Sequence, residues 1–230
     1  MMRAVVISGL FALSGCSGLL HSSAALEQVY FLRAKATEET GDPRPPIAAS
    51  IHVGRPVAGP GLDSSHILLL EPDRRMSYYT ASRWPAPLPE VVEDLASQVL
   101  RASGSWSNVQ SSESPFPSDY LLQIHIRRFE ADYSTAGVKG GGRAVAGSGP
   151  AAPEVRVILD CTIGKRSGRE VVATFVAEGH AVAAANRLNA VVAAFEEATN
   201  VALFSLSTHT AEAVGAAGQK VDNPVPSITR

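Results

Sequence analysis

One cysteine near the start of the chain stands where its thiol could be chemically modified. Cys16 directly follows Ser14 and Gly15, and these come after an apolar run over residues 4–13 that ends in Leu13. The run has the length of a signal-peptide core and is far shorter than the roughly 20 apolar residues that cross a bilayer as a helix. Two small residues let a peptidase approach the backbone closely, and a thiol is a soft nucleophile suited to alkylation. The spacing therefore predicts cleavage next to Cys16 and attachment of a group to its sulfur.

The sequence Leu13-Ser14-Gly15-Cys16 resembles the lipobox of bacterial lipoproteins. The resemblance implies cleavage between Gly15 and Cys16, a diacylglycerol on the thiol and a further acyl chain on the new amino group. Because each buried CH₂ contributes about 0.8 kcal/mol, three such chains would hold the protein on a membrane permanently without a transmembrane helix. By analogy with the lipoprotein sorting rule, Ser17 favours the outer membrane over the inner membrane. The alternative is an ordinary secretory signal in which Cys16 has no role.

The predicted processing site and the predicted domain divide the chain into four parts. Residues 1–15 would be the signal peptide, 16–26 the lipidated N-terminus and its tether, 27–212 a single periplasmic domain and 213–230 a disordered tail. A tether of this size reaches at most about 35 Å when fully extended. The domain is therefore expected to stay close to its membrane.

The composition excludes several classes of function. The net charge is −2 and no long block of like charge occurs, so nothing points to nucleic-acid binding. Six histidines are scattered without ligand spacing and Cys161 is the only cysteine besides Cys16, so neither a metal site nor an internal disulfide is expected. The glycine-rich stretch 137–149 lacks the Lys-Ser/Thr of a phosphate loop, and no Gly-x-Ser-x-Gly elbow occurs. We expect a protein that is not an enzyme and whose only cofactor is the covalent lipid.

Alternating apolar residues predict a sheet. The alternation is longest over 119–133, 154–165 and 171–180, and its phase changes at Arg128-Phe129, which indicates a bulge. Cys161 lies on the apolar face of its strand and is expected in the core. Shorter strands are predicted over 27–34, 47–57, 66–70, 75–80 and 106–110.

Two amphipathic helices complete the predicted fold. The first begins near Leu88, carries apolar residues at three- and four-residue spacing and ends before Gly104. The second covers 186–212, with Glu196, Glu197 and Asn200 opposite its apolar face. Strands with one apolar face and two such helices predict the α+β class: a two-layer domain with a mostly antiparallel or mixed sheet of seven or eight strands.

Two short segments could serve either the core or an interface. Tyr30-Phe31-Leu32 follows the tether, and Trp84 with Pro87-Leu88 leads into the first helix. Core packing is the simpler interpretation of both, with the prolines fixing the entry into the helix.

The order of these segments resembles the ABC-type transport auxiliary lipoproteins, the PqiC-like group. Besides the lipobox, the resemblance depends on the strand Ile51-His-Val-Gly-Arg-Pro, on Leu62-Asp63 before an apolar strand, and on the long helix after Trp84. It covers roughly residues 26–212.

Membership would imply a periplasmic lipoprotein that works beside an MCE-domain protein, an ABC permease and an ATPase in moving lipids between the inner and outer membranes. The protein would be a docking or conduit component, and a ring-like homo-oligomer is compatible with that role. A second hypothesis is an outer-membrane lipoprotein that activates or scaffolds a peptidoglycan-synthesis complex, although the short tether makes reach across the periplasm difficult. A third, a periplasmic hydrolase, would need a pocket that joins His125 or His180 to a carboxylate and a nucleophile.

Overall fold

The computed structural model of the protein describes residues 26–35, 47–134 and 151–222. The lipobox, Ser17 and the glycine-rich stretch 137–149 lie outside the described residues. Within them the elements are β1 (Gln28–Val29), β2 (Ile47–Val53), β3 (Val57–Ala58), β4 (His66–Leu70), β5 (Met76–Arg83), α1 (Leu88–Ala102), β6 (Trp106–Gln110), β7 (Tyr120–Asp132), β8 (Glu154–Lys165), β9 (Glu170–Val182) and α2 (Leu188–Asp222).

The strand β7 is the centre of a single mixed sheet. Along one edge it pairs antiparallel with β8 over its whole length, and β8 pairs antiparallel with β9. Along the other edge it pairs in parallel with β2, β3 and β4 in turn, so three short strands share one long strand. The strands β4 and β5 form the predicted hairpin, while β1 and β6 extend the sheet by pairing with β5 and β2. The predicted α+β class is confirmed, with an open sheet that has nine strands in the described residues.

A bulge interrupts β7 where the change of phase predicted it. The register between β7 and β8 shifts between Ile126 and Arg128. Ile126 and Phe129 are both buried, with two residues between them where a regular strand would have one. The bulge therefore turns both Arg127 and Arg128 toward the face away from the core.

Two strand predictions need correction. The strand predicted over 27–34 is limited to β1, because only the Tyr30 N–H still bonds to β5, whereas Arg33 and Lys35 donate to side chains of α2. The strand predicted over 47–57 is divided into β2 and β3. Pro56 lies between them and has no N–H to donate to a neighbouring strand.

The helix α1 begins and ends at its sequence signals. Pro87 is the N-cap residue, and a further proline lies in the first turn, where a missing N–H costs nothing. Gly104 follows the helix with a φ of 64°, a conformation that glycine adopts without strain. Leu88 and Leu95 are buried on its inner face, as the spacing predicted.

The helix α2 is longer than predicted. It continues to Asp222, so the prediction of a disordered tail is wrong for 213–222, whereas 223–230 lie outside the described residues. Residues 213–218 include three alanines, the best helix former, but also two glycines, so the burial of Val214 against the core is needed to explain the extension. By length and composition α2 could cross a membrane, but half of its most apolar window is buried inside the domain.

Both helices contribute to one core with an aromatic cluster at its centre. The ring of Trp84 meets Phe129 and Phe195 edge-on at centroid distances of 6.1 and 5.3 Å, and Phe129 stacks on Phe195 at 5.3 Å. Where β9 passes under α2 it carries Gly179, and a Cβ atom at that position would overlap the carbonyl oxygen of Ala198. The helix can lie this close to the sheet only because Gly179 has no side chain.

Candidate functional site

The residues that follow the predicted tether are fixed to α2. We call residues 30–35 the N-terminal strap. The Arg33 N–H donates to Glu196 Oε2 at 3.2 Å and the Lys35 N–H donates to Asn200 Oδ1 at 2.7 Å. Asn200 Nδ2 donates in return to the Arg33 carbonyl at 3.0 Å. Because Glu196 and Asn200 are one helical turn apart, two polar side chains of α2 serve as partners for the extended backbone of the strap.

The sheet holds the start of the same segment. The strand β1 pairs in parallel with the end of β5, and the Tyr30 N–H donates to the Arg83 carbonyl at 2.9 Å. The Arg83 side chain forms an ion pair with Glu27 at 2.7 Å. The Tyr30 hydroxyl donates to Gln28 Oε1 at 2.5 Å and lies 3.4 Å from Asn189 Oδ1 in the first turn of α2. The start of the strap is therefore held by the sheet and lies against the first turn of α2.

For two short segments the sequence left open whether the residues belong to the core or to an interface, and the structure decides this residue by residue. Trp84 and Leu88 are buried in the core, Pro87 caps α1, and Tyr30 and Leu32 pack partly against the core. Phe31 points the other way and is 66% exposed. Because side chains alternate along an extended segment, Tyr30 and Leu32 hold the strap while Phe31 faces outward.

The face of the sheet opposite the helices carries a row of charged side chains, which we call the charged ladder: His125, Arg127, Asp160, Glu178 and His180. The Arg127 guanidinium lies 3.3 Å from Asp160 and 3.7 Å from Glu178. His125 lies 3.6 Å from Asp160, and His180 lies 3.7 Å from Glu178. All five side chains are substantially exposed, so each pair contributes only about 0–1 kcal/mol to stability.

A second charged group lies beyond the bulge, and its two central carboxylates, those of Glu130 and Asp132, are nearly buried. The Asp132 side chain is 2% exposed and lies 3.5 Å from the guanidinium groups of both Arg128 and Arg156. Glu130, which is 8% exposed, contacts Arg128 at 2.5 Å, and Glu154 contacts Arg156 at 2.9 Å. Buried charges require such partners, so this group is part of the folded structure and not a free binding surface.

A small pocket of ≈ 180 Å³ opens beside the bulge. Its walls are mainly apolar: Gly59, Pro60, Leu62, Leu69, Leu70 and Met76. The charged residues at its border are Arg127, Arg128 and Glu130, which already form ion pairs. A group that entered this pocket would therefore make mainly apolar contacts.

The described residues provide little reactive chemistry. No group of three or more His, Cys, Asp or Glu side chains among them could hold a metal ion. Cys161 is buried as predicted, and burial raises the pKa of its thiol to about 12, which keeps the sulfur protonated and unreactive. Burial, with the charge of Arg166, lowers the pKa of His52, so its imidazole is neutral at pH 7. His125 and His180, on which the hydrolase hypothesis depended, contact carboxylates on the open sheet face.

The fold defines the class of this protein: a two-layer α+β domain in which an open mixed sheet is covered on one face by two helices. Residues 30–201 match the family model of the ABC-type transport auxiliary lipoprotein component, and the chain therefore belongs to this family. The matched segment begins at the N-terminal strap and ends one residue after Asn200, to which the strap is bound. Membership confirms the resemblance and supports a lipoprotein role.

Two solved structures share the fold. Protein XCC0632 from Xanthomonas campestris has a TM-score of 0.70 and 23% sequence identity, over 84% of this chain and 99% of that chain. An uncharacterized protein has a TM-score of 0.57 and 11% identity, over 83% of this chain and 99% of that chain. At such identities the likeness concerns the fold alone. No curated protein matches the chain.

Proposed function

We propose that this protein is a lipid-anchored auxiliary component of an MCE-type ABC transport system that moves lipids between the inner and outer membranes. The observation that carries the proposal is the family match over residues 30–201, a short distance after the lipobox that ends in Cys16. In this role the protein is not an enzyme. It sits on the periplasmic side of the outer membrane, as Ser17 favours, and docks the MCE-domain protein with its permease and ATPase.

The surfaces of the domain support a docking role. The charged ladder is exposed and faces away from the helices, so it is open to a partner with complementary charges. Among the described residues β9 pairs with β8 only, and its second edge can accept a further strand. A homo-oligomer is therefore part of the proposal, with the outer edge of β9 as one candidate contact.

The lipid anchor is tested by metabolic labelling with radioactive palmitate. The Cys16→Ala variant should lose the label and remain unprocessed, because the acceptor thiol is gone. The Cys161→Ala variant is the matched control, since it removes the other cysteine of the chain from a buried site and should keep the label. A labelled Cys16→Ala variant, or a mass spectrum that shows a bare processed N-terminus in the native protein, would contradict the anchor.

The transport partner is tested by affinity purification of an MCE-domain protein from the same cells. The native protein and the Cys161→Ala variant should both be recovered with it, and recovery of the Cys16→Ala variant should fall sharply because the docking part no longer stays at its membrane. Absence of the native, acylated protein from such a purification would contradict the partner while leaving the anchor intact.

A further inference from the structure

We propose that the pocket beside the bulge receives one large apolar side chain from an extended, basic segment of a docking partner. This inference rests on the docking role proposed above and deepens it. It names the place on the open sheet face where the partner is anchored, and it gives the chemistry of the segment that binds there.

The pocket occupies a gap in the sheet. The strand β3 pairs with β7 as far as Ile126, and β4 joins β7 only at Ala131. The bulge lies in the four residues between these points. Two lining residues, Leu62 and Leu69, belong to the core or pack against it. The pocket therefore reaches from the open face down to the core, at a place that a continuous strand pairing would have closed.

The size of the pocket fits a single side chain. Its volume is ≈ 180 Å³, and an apolar cavity of about 150 Å³ is enough to hold a benzene-sized group. Leucine, methionine and phenylalanine side chains are of that size. A whole lipid acyl chain is several times larger, so the volume favours a protein partner over a lipid.

Exposed apolar side chains surround the pocket. Met76 is one of its walls and is 53% exposed, and Tyr78, on the same side of β5, is 55% exposed. Val57, two residues before the lining residue Gly59, is 63% exposed and lies beside His125 of the charged ladder. A small pocket for one anchor, surrounded by further apolar contacts, is typical of the centre of a protein interface.

The open face around the pocket carries more acidic than basic groups. The charged ladder and the second charged group contain five carboxylates and three guanidinium groups, which leaves two more negative than positive charges when the histidines are uncharged. The turn between β4 and β5 does not change this balance, because Glu71 and Asp73 are matched there by Arg74 and Arg75. A segment with lysine or arginine residues therefore suits this face better than an acidic one.

The distance from the pocket to the exposed carboxylates sets the spacing in the partner. Asp160 and Glu178 lie one and two strands beyond β7, whereas the pocket lies at the other edge of β7. Neighbouring strands are about 4.8 Å apart, so a segment that crosses them covers roughly 10–14 Å between the pocket and Glu178. At about 3.3 Å per extended residue, the basic residues should follow or precede the anchor by about three or four positions.

The methyl group of Met76 reports on the pocket. Met76 is the only methionine of residues 16–230, so the processed protein labelled with ¹³C-methyl methionine gives one methionine signal, from the wall of the pocket. The full processed protein is studied in phosphatidylcholine nanodiscs. The probe is the peptide Lys-Lys-Thr-Thr-Leu-Thr-Thr-Lys-Lys, which has lysines three and four residues from the leucine in both chain directions. Two matched peptides carry alanine for the leucine or glutamate for the lysines.

We expect the leucine and lysine peptide to shift the Met76 signal until it saturates. The alanine peptide should bind roughly tenfold more weakly, because it cannot fill the pocket, and the glutamate peptide roughly three- to fivefold more weakly. The Leu70→Trp variant fills the pocket from its wall and should lose the difference between leucine and alanine. The matched control is Val171→Trp, at the start of β9 and away from the pocket, which should keep that difference.

A second variant keeps the test decisive if Leu70→Trp does not fold. Glu178 is exposed, and Glu178→Lys should reduce or reverse the preference for the lysine peptide while leaving the preference for leucine unchanged. Equal affinity for the leucine and alanine peptides, or a preference of the native protein for glutamate, would overturn the inference. A Met76 shift on addition of monomeric lysophosphatidylcholine would assign the pocket to an acyl chain, and a shift that grows with protein concentration alone would assign it to a second copy of the chain. Both results would overturn the inference.

The purification of the MCE-domain protein separates this inference from the proposed function. Recovery of the native protein without peptide binding would remove the pocket as the anchor and leave the partner in place. Peptide binding without recovery would remove that partner and leave the chemistry of the pocket intact.

Discussion

The two faces of the β8 and β9 hairpin are made from neighbouring residues and have opposite properties. Toward α2, alternate residues of β8 are completely buried: Val155, Val157, Leu159, Cys161 and Ile163. On the other face, the residues between them and their partners on β9 include Asp160, Glu178 and His180 of the charged ladder. The period of two in a strand thus produces one face that determines the fold and one that is available for contacts. Substitutions on the two faces should differ by several kcal/mol.

The largest loss of stability is expected when a ring is removed from the aromatic cluster on the helix side of the sheet. The Phe195→Ala variant should lower the free energy of unfolding by about 3–5 kcal/mol, because it deletes a fully buried side chain that touches both Trp84 and Phe129. Urea unfolding followed by circular dichroism measures the change. A loss below about 1 kcal/mol would show that the helix does not pack on the sheet as described.

Adding a methyl group on the same face should also lower the free energy of unfolding. The Gly179→Ala variant should lose about 3 kcal/mol, since the new methyl group meets the backbone of α2 at Ala198 and Ala202 and cannot be relieved by a side-chain rotation. Gly168→Ala is the matched control, because nothing lies within 4 Å of a Cβ atom at that position. The control should change stability by no more than about 0.5 kcal/mol. Equal effects of the two variants would contradict the close approach of α2.

The buried carboxylates beyond the bulge sharpen the comparison, because they lie on the open face and are nevertheless shielded from solvent. The Asp132→Ala variant should lose about 1–3 kcal/mol, since Arg128 and Arg156 would each lose a buried carboxylate partner. The exposed Asp160 provides the matched substitution, and Asp160→Ala should have a smaller effect. If urea unfolding showed a larger loss for Asp160→Ala than for Asp132→Ala, the burial of the carboxylate would not determine its contribution to stability.

The smallest effect on stability is expected at the centre of the charged ladder. The Arg127→Met variant should change the free energy of unfolding by less than about 1 kcal/mol, because its ion pairs are exposed and longer than ordinary hydrogen bonds. The same variant should weaken recovery with the MCE-domain protein if the ladder is the docking surface. A loss of stability comparable with that of Phe195→Ala would place Arg127 among the residues that hold the fold together.

Features decided by neighbouring residues could be predicted from the sequence. The bulge in β7 followed from the change of phase at Arg128-Phe129, and the ends of α1 followed from Pro87 and Gly104. Proline and glycine act through the local backbone, because proline removes a donor and glycine permits a positive φ. The bulge and the burial of Cys161 followed instead from the alternation of apolar residues along a strand.

Contacts between distant parts of the chain could not be predicted in this way. The hydrogen bonds from Arg33 to Glu196 and from Lys35 to Asn200 join residues separated by 163 and 165 positions. Glu196 and Asn200 were recognised only as the polar side of a helix, and nothing in that pattern says that an extended segment will lie there. For the same reason, the sequence could not separate outward-facing Phe31 from its inward-facing neighbours. The lipobox itself lies outside the described residues and stays a prediction.

The strap has a mechanical consequence. If the chain is anchored at Cys16 as proposed, tension on the tether would enter the folded domain at β1 and the strap, and from there it would pass to β5 and to α2. The load would therefore be divided between the sheet and α2 before it reached β7. A partner that pulled on the periplasmic side would strain β1 and α2 together, so β1 would not resist as a single edge strand.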